Sequence, residues 1–203
     1  MITIVDLGIS NIKSITRGFI TQGFEVKVTN RPDEISEADS LVLPGVGAFP
    51  KAVEVLKGKG LWSAVLTHAK SGKPLIGICL GMQLLFTESD EHTPTRGLNL
   101  VPGRVKRFPS DRPVPHMGWN EVSIRRESPL FRGVPDRTAF YFVHSYYGEP
   151  DDPEWEIGSS DHGGRFTAAV QRGSVYGTQF HPEKSQDQGL AVLRNFARLT
   201  EPG

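Results

Sequence analysis

The sequence predicts an α/β protein with a mixed, mostly parallel, doubly wound sheet that is flanked by helices and extended by antiparallel strands. Three observations lead to this prediction. Short apolar runs alternate with helical patterns over residues 2–86, as in βαβ units. Strand-like stretches without long helices between them follow over residues 103–180. A final amphipathic pattern over 187–199 predicts a closing helix.

The first half of the chain contains four predicted strands, each followed by a helix or a turn. Apolar runs bounded by Gly, Pro or polar residues predict the strands, and apolar residues at helical spacing predict the helices. Binding sites in such a sheet form at the carboxyl ends of the strands. The strands cover 2–5, 24–29, 40–43 and 75–78, and the helical segments cover 12–22, 32–38, 53–56, 61–69 and 81–86.

The second half is predicted to be rich in strands. Residues 149–154 contain two prolines and four acids, and this composition predicts a solvated loop. The sequence shows no repeat or linker, so we expect residues 1–203 to form one domain. The predicted strands cover 103–108, 119–124, 139–143, 155–159, 166–171 and 174–180.

The composition of the chain argues against a nucleic-acid-binding, secreted or membrane-spanning protein. Lys and Arg together number 23, as do Asp and Glu, so the formal net charge is zero, whereas nucleic-acid binders usually carry a basic excess. The single cysteine cannot form an internal disulfide, which favours a reducing compartment. The amino terminus lacks a basic signal-peptide region, and the longest mostly apolar stretch, 74–86, is too short to span a bilayer. We therefore expect a cytoplasmic protein with no membrane or nucleic-acid partner.

Cys79 lies in the sequence Gly-Ile-Cys-Leu-Gly at 77–81, between a predicted strand and a predicted helix. The two glycines permit a sharp strand-to-helix turn, which is the arrangement of a nucleophile elbow. A helix amino terminus also favours an anion such as a thiolate. The alternative is an unreactive buried cysteine, and Cys79 alone leaves both interpretations open.

His181 and Glu183 follow the last predicted strand. A thiol nucleophile needs a base, and the base needs a group that fixes its tautomer. An extended backbone would project these two side chains to one face, and Pro182 should end the strand at the rim of the sheet. The alternative is a rim histidine beside a solvated carboxylate.

The segment Pro44-Gly45-Val46-Gly47 follows another strand that should end at the same rim. Its glycines free the backbone to direct N–H groups at a ligand, so it could supply one oxyanion donor, with the Leu80 N–H as the second. For this loop taken alone, an ordinary turn is the preferred interpretation. The scattered histidines show no metal-ligand spacing, so neither a metal nor a cofactor is expected.

The two motifs together resemble a class I glutamine amidotransferase, which uses a Cys-His-Glu triad. They are Gly-Ile-Cys-Leu-Gly-Met-Gln at 77–83 and His-Pro-Glu at 181–183, about a hundred residues apart. Segments 44–49, 115–120, 141–146 and 181–185 further resemble the glutaminase subunits of imidazole glycerol phosphate synthases. The resemblance covers essentially the whole chain. It implies a flavodoxin-like sheet and a reaction without a cofactor.

The family's catalytic roles carry over to this sequence by that resemblance. Cys79 would attack the side-chain amide of glutamine and form a γ-glutamyl thioester. His181 would take the thiol proton and deliver it to departing ammonia, and Glu183 would orient His181. The oxyanion donors would come from the backbone of the 45–47 loop and from Leu80.

The resemblance also implies two sets of contact residues. The glutamine pocket would include Gln83, Glu91, His144, Ser145 and Tyr146. Ammonia would pass to a (β/α)₈-barrel synthase subunit in a heterodimer. That partner would join it to a ribulosyl ribonucleotide, giving imidazole glycerol phosphate and aminoimidazole carboxamide ribotide. The side facing the partner would include Asn11, Met117, Trp119, Asn120, Tyr141 and Lys184.

The first turn departs from the family pattern Asp-Tyr-Gly-x-Gly-Asn, because Leu7 and Ser10 replace its Tyr and second Gly. Three alternatives remain open. A glutaminase could serve another synthase, and an amidotransferase-like scaffold could lack catalysis. A cysteine hydrolase of the α/β-hydrolase type is disfavoured, because its acid precedes the histidine along the chain.

Overall fold

The structure is a computed structural model that describes residues 1–8 and 11–200. Its strands form one sheet of nine strands and a second sheet of four. In chain order the strands are β1 (Ile2–Val5), β2 (Val26–Thr29), β3 (Ser40–Gly45), β4 (Leu75–Cys79), β5 (Glu88–Ser89), β6 (Thr95–Arg96), β7 (Gly103–Arg107), β8 (His116–Ile124), β9 (Thr138–His144), β10 (Tyr146–Pro150), β11 (Glu156–Asp161), β12 (Arg165–Arg172) and β13 (Val175–Thr178). The α-helices are α1 (Ile12–Ile20), α2 (Pro32–Glu37), α3 (Phe49–Gly58), α4 (Leu61–Lys70), α5 (Leu80–Leu84) and α6 (Gln186–Ala197).

The large sheet has the order β2-β1-β3-β4-β13-β12-β11-β8-β9. Neighbouring strands from β2 through β13 run parallel, and each pair from β13 to β9 is antiparallel. The predicted α/β class, with a parallel sheet and an antiparallel extension, is therefore confirmed. The carboxyl ends of β3 and β4 meet at one edge, in the register that pairs Gly45 with Cys79.

Helices cover both faces of the parallel region. Alternate residues of a strand point to opposite faces, so Ile4 packs in one apolar cluster and Val5 in the other. Helices α1 and α6 lie together beside the first cluster, whereas α2, α3 and α4 supply the second. This double layer encloses β4 and holds its end in place.

The small sheet, in the order β10-β7-β5-β6, was not predicted. The expectation of a loop at 149–154 is wrong for its first two residues, since Glu149 and Pro150 belong to β10. Strand β10 pairs antiparallel with β7, and Glu149 also forms an ion pair with Lys106 of that strand. Pairing with a distant segment outweighs a local composition that favours a loop.

Strand β3 and helix α3 are both longer than predicted. The strand continues through Pro44 and Gly45, because its pairing with β1 ends at Val42 and the missing Pro44 N–H costs no bond there. Helix α3 begins at Phe49, with a proline in its first turn. Over the described residues, no helix has both the length and the apolar character of a membrane span.

Candidate active site

Cys79 occupies the strained turn between β4 and α5. Its backbone has φ 54° and ψ −111°, outside the regions that a residue with a side chain prefers. The flanking glycines leave room for this turn. A Cβ on Gly77 would lie 2.4 Å from the Gly81 carbonyl oxygen, and one on Gly81 would lie 1.8 Å from the Leu43 carbonyl oxygen. Larger residues would therefore clash at both positions, which explains the Gly-x-Cys-x-Gly spacing.

His181 and Glu183 form a buried pair just after β13. The His181 N–H donates to the Tyr141 carbonyl oxygen at 2.9 Å, which anchors the segment to β9. Nδ1 of His181 and Oε1 of Glu183 lie 2.8 Å apart, and their side chains are 3% and 0% exposed. The expected extended backbone is wrong, because Glu183 lies in the 3₁₀ helix Pro182–Lys184. The tight turn brings the carboxylate back to the imidazole.

His181 and Cys79 line the same cavity. Burial lowers the pKa of His181, but hydrogen bonding and charge interactions with Cys79 and Glu183 outweigh it and raise the pKa to about 10. The imidazole is therefore protonated at neutral pH. Within the described structure, the Nε2 atom of His181 has no hydrogen-bond partner that meets ordinary distance and angle limits.

The cavity has a volume of about 310 Å³, within the range of small-molecule sites. It lies at the carboxyl end of β4, where the sequence predicted a site. All the predicted catalytic, oxyanion and glutamine-pocket residues except Gly45 and Glu183 line it directly. Those that do are Val46, Gly47, Cys79, Leu80, Gln83, Glu91, His144, Ser145, Tyr146 and His181, and the predicted interface residue Lys184 joins them.

Gly45 and Glu91 have structural contacts beside this cavity. A Cβ on Gly45 would lie 3.0 Å from that of Leu80, so the glycine allows β3 to pack closely under the start of α5. One carboxylate oxygen of Glu91, Oε2, accepts a hydrogen bond from the Phe49 N–H at 2.7 Å. Glu91 thus holds the first turn of α3, which follows the 45–47 loop.

Gln179 contacts the Cys79 sulfur, although the sequence analysis gave it no role. Its amide Nε2 donates to the Cys79 sulfur at 3.8 Å, and its Oε1 accepts from Gln83 Nε2 at 3.1 Å. Gln83 Nε2 also donates to the Tyr146 carbonyl oxygen at 2.8 Å. A signal was present in the sequence, because Gln179 is a polar residue at the end of a buried strand, two positions before His181.

His144 is neutral in this site. Its Nδ1 lies 2.7 Å from the Tyr146 carbonyl oxygen, which can only accept a hydrogen bond. Burial lowers the pKa of His144 to about 3, against a smaller opposite effect of this bond. The ring therefore carries its single proton on Nδ1 and fixes the backbone of the pocket.

Four of the predicted interface residues form a surface beside the cavity, which we call the Trp119 patch: Met117, Trp119, Tyr141 and Lys184. Met117 and Trp119 are 62% and 50% exposed, which is high for large apolar side chains. The Trp119 ring meets Tyr141 edge-on, with centroids 6.2 Å apart, and Lys184 Nζ lies 5.6 Å from the Tyr141 centroid. Lys184 joins this patch to the cavity.

The remaining predicted interface residues lie elsewhere. Asn120 is half-buried on the other face of β8 and donates to the Asp161 carbonyl oxygen at 2.6 Å. Asn11 precedes the first residue of α1. Leu7 is buried in the apolar cluster of β3 and α3, and Ser10 lies outside the described residues. Across residues 1–8 and 11–200, no group of His, Cys, Asp or Glu is arranged to hold a metal.

Comparisons with known proteins agree with this geometry. Residues 3–199 match the family described as glutamine amidotransferase class-I. The chain is 48% identical to the imidazole glycerol phosphate synthase subunit HisH of Syntrophotalea carbinolica, over 98% of this chain and 100% of the relative. It is 49% identical to the subunit of the same name from Moorella thermoacetica, over 98% and 94% of the two chains.

Solved structures show the same fold at low sequence identity. A chain in the structure of PurLQS from Thermotoga maritima superposes with a TM-score of 0.79 at 17% identity, covering 98% of this chain and 97% of that one. A glutamine amidotransferase from the same organism gives a TM-score of 0.70 at 16% identity, covering 98% and 96%. The chain belongs to the class I glutamine amidotransferases and, within them, to the family of imidazole glycerol phosphate synthase HisH subunits.

Proposed function

We propose that this chain hydrolyses glutamine through Cys79 and supplies the ammonia to the synthase subunit of an imidazole glycerol phosphate synthase. The observation that carries the proposal is the placement of Cys79 at a strained turn, in one cavity with the buried His181–Glu183 pair. Family membership supports the same reaction. Residues 1–203 would act as a single domain in the cytoplasm.

The first half-reaction forms a thioester. The Cys79 thiolate attacks the side-chain amide carbon of glutamine, and the carbonyl oxygen becomes an oxyanion. The protonated His181 delivers its Nε2 proton to the amide nitrogen, the carbon–nitrogen bond breaks, and ammonia leaves. Glu183 accepts a hydrogen bond from Nδ1 throughout, which keeps the imidazole in the required orientation.

The second half-reaction releases glutamate. Neutral His181 takes a proton from water, and the resulting hydroxide attacks the thioester carbon. Collapse of the tetrahedral intermediate breaks the carbon–sulfur bond and returns the thiolate beside a protonated His181. No redox step or cofactor is required, because the two half-reactions together add water across one amide bond.

The oxyanion would be held by backbone donors. Leu80 is the first residue of α5, where backbone N–H groups lack partners within the helix. Val46 and Gly47 also line the cavity, and Gly47 has a φ of +95° that favours glycine. Loss of one such donor typically raises the barrier by about 2.7–4 kcal/mol.

The synthase subunit, a (β/α)₈ barrel, would dock on the Trp119 patch. Large exposed aromatic and apolar side chains are typical anchors of a protein interface. Lys184 belongs to both the patch and the cavity lining, so docking there would cover the exit from the site of ammonia release. The barrel would then join ammonia to a ribulosyl ribonucleotide, giving imidazole glycerol phosphate and aminoimidazole carboxamide ribotide.

The proposal is tested by measuring glutamate formation by the purified protein with its synthase subunit and nucleotide ligand. Cys79→Ala should abolish turnover while still binding the synthase subunit. Ser63→Ala, which removes one polar atom from an exposed residue of α4 outside the cavity, is a control that should leave turnover unchanged. Undiminished turnover in Cys79→Ala would refute the assignment.

Two further measurements separate the alternatives. Selective alkylation of Cys79 by a glutamine-mimicking electrophile is expected of an enzyme and not of a scaffold. Co-purification with the barrel synthase, rather than with another acceptor enzyme, is expected of this family. Turnover without the synthase subunit should be weak, because unproductive hydrolysis wastes glutamine.

A further inference from the structure

A second buried histidine, His116, lies behind the pocket and takes no part in the reaction described above. It belongs to β8 and is 5% exposed, and it faces His144 of the neighbouring strand β9 in the paired register. Nδ1 of His116 and Nε2 of His144 lie 3.0 Å apart. Two adjacent imidazoles without a carboxylate between them raise the question of which nitrogen donates.

The partners at the two ends decide the direction of donation. His144 carries its proton on Nδ1, since that atom faces the Tyr146 carbonyl oxygen, so its Nε2 can only accept. His116 must therefore donate from Nδ1. Its own Nε2 is then bare and accepts from the Asn120 amide, whose Nδ2 lies 3.1 Å away.

The Asn120 amide is itself fixed in this orientation. Its Nδ2 also donates to the Asp161 carbonyl oxygen at 2.6 Å, and its Oδ1 accepts from the Glu121 N–H at 2.9 Å. The Asp161 carbonyl oxygen can only accept and the Glu121 N–H can only donate, so the Asn120 amide could not bind them with its oxygen and nitrogen exchanged. The hydrogen bonds thus run in one direction, from Asn120 through His116 and His144 to the Tyr146 carbonyl oxygen, and every ring nitrogen has a partner.

The Tyr146 carbonyl oxygen is where this chain of bonds meets the glutamine pocket. It accepts from His144 Nδ1 and also from Gln83 Nε2, at 2.7 Å and 2.8 Å. Gln83 in turn contacts Gln179, which donates to the Cys79 sulfur. The orientation of the Tyr146 peptide therefore sets the position of Gln83, a residue of the proposed pocket.

Packing holds the His116 ring where it can donate. Its ring lies 4.3 Å from that of His162 and 5.0 Å from that of Phe142, measured between centroids. The His162 ring is tied to the Pro113 carbonyl oxygen through Nε2 at 2.7 Å. A ring packed against these neighbours cannot turn away from His144 without a rearrangement of them.

We propose that His116 is a positioning residue for glutamine binding: by donating from Nδ1 it holds His144 as the Nδ1–H tautomer, and so holds the Tyr146 carbonyl oxygen that orients Gln83. This inference rests on the proposed glutaminase function. It assigns His116 no contact with substrate and no role in proton transfer.

Two substitutions, each of which keeps a polar group at only one of the two ring-nitrogen positions of His116, test the proposal in the complex with the synthase subunit. His116→Asn keeps an amide nitrogen near the place of Nδ1, whereas His116→Gln keeps a polar group near the place of Nε2 and removes the donor to His144. We expect His116→Gln to raise the KM for glutamine roughly tenfold with little change in kcat, as for one lost buried hydrogen bond. His116→Asn should stay within about twofold of the unchanged protein.

If His116 acted only by filling space, His116→Asn should raise the KM for glutamine more than His116→Gln does. The reason is that a glutamine side chain fills more of the space of histidine than an asparagine side chain does. His116→Phe keeps the ring volume and removes both nitrogens, and it should match His116→Gln. A KM near that of the unchanged protein in His116→Phe or His116→Gln would overturn the proposal, as would a tenfold rise in His116→Asn.

A spectroscopic measurement separates this inference from the proposed function. Histidine ring nitrogens labelled with ¹⁵N report the tautomer, and we expect His144 in the unchanged protein to show a protonated Nδ1 and a bare Nε2 that accepts a hydrogen bond. The opposite tautomer would overturn the inference. Absence of glutamine hydrolysis by the unchanged complex would instead overturn the proposed function, whatever the tautomer.

Discussion

Gly81 packs against the backbone of Leu43 so closely that a Cβ on it would lie 1.8 Å from the Leu43 carbonyl oxygen. The contact joins the start of α5 to the end of β3, directly beside Cys79. No flexible side chain is involved, so the clash could be relieved only by moving backbone. The strained turn at Cys79 thus depends on the smallest residue two positions later.

We expect Gly81→Ala to lower the free energy of unfolding by at least about 2 kcal/mol, as overpacking of backbone against backbone does. Glutaminase activity should fall with it, since the turn that carries the thiol must shift. Urea denaturation measures the first effect. Gly58→Ala is the control, because a Cβ on Gly58 would meet nothing within 4 Å, and equal destabilisation of the two variants would contradict the steric argument.

Glu183→Gln should keep the shape of the buried pair and remove its charge. We expect kcat to fall by about 10²–10⁴-fold, because the imidazole loses the group that orients and stabilises its protonated form. The pKa of His181 should also fall, since Glu183 helps to raise it, and an NMR titration would measure that change. Glu54→Gln, on the exposed side of α3, should change neither quantity, and a Glu183→Gln enzyme of full activity would rule out this role.

Gln179→Met should slow the reaction at Cys79 by roughly tenfold, because it removes one hydrogen bond to the sulfur and one acceptor for Gln83. The rate of alkylation by a glutamine-mimicking electrophile measures the effect on the thiol directly. Gln171→Met changes a half-buried glutamine of β12 outside the cavity and serves as the control. Equal alkylation rates for the two variants would show that Gln179 does not act on the thiol.

Stability should fall when the pH is lowered below 6.5. Burial lowers the pKa of His116 to about 4 and that of His144 to about 3, so the unfolded chain binds more protons than the folded protein below 6.5, and stability falls on acidification. Burial likewise lowers the pKa of His68.

The measurement is the free energy of unfolding in urea at acidic and neutral pH. Each proton bound by only one of the two states contributes a slope of about 1.4 kcal/mol per pH unit within its window. His181→Asn should leave this loss of stability on acidification unchanged, because the pKa of His181 is raised and its imidazole is protonated in both states at acidic pH. A stability that stays constant from neutral pH down to about pH 4 would be inconsistent with the lowered pKa values of His116 and His144.

The sequence predicted most of the parallel region and its site, because most of the signals there come from residues close together in the chain. Gly77 avoids a clash with the backbone of Gly81, only four residues away, and alternating strand and helix patterns predicted β1 to β4 with their helices. The ends of these elements were less certain. Strand β3 continues through Pro44 because pairing with β1 has already stopped, which no local pattern records.

By itself, the sequence determined the fold class, the thiol at a strand-to-helix turn and the family, since each of these rests on local patterns and motifs that can be recognised without knowing how the chain packs. Tertiary structure alone decided the small sheet that includes β10, the 3₁₀ turn that returns Glu183 to His181, the contact of Gln179 with the sulfur and the tautomer chain through His116. The physical reason is that hydrogen bonds between segments distant in sequence depend on how strands pair across the sheets, and the local pattern of neither segment contains that pairing.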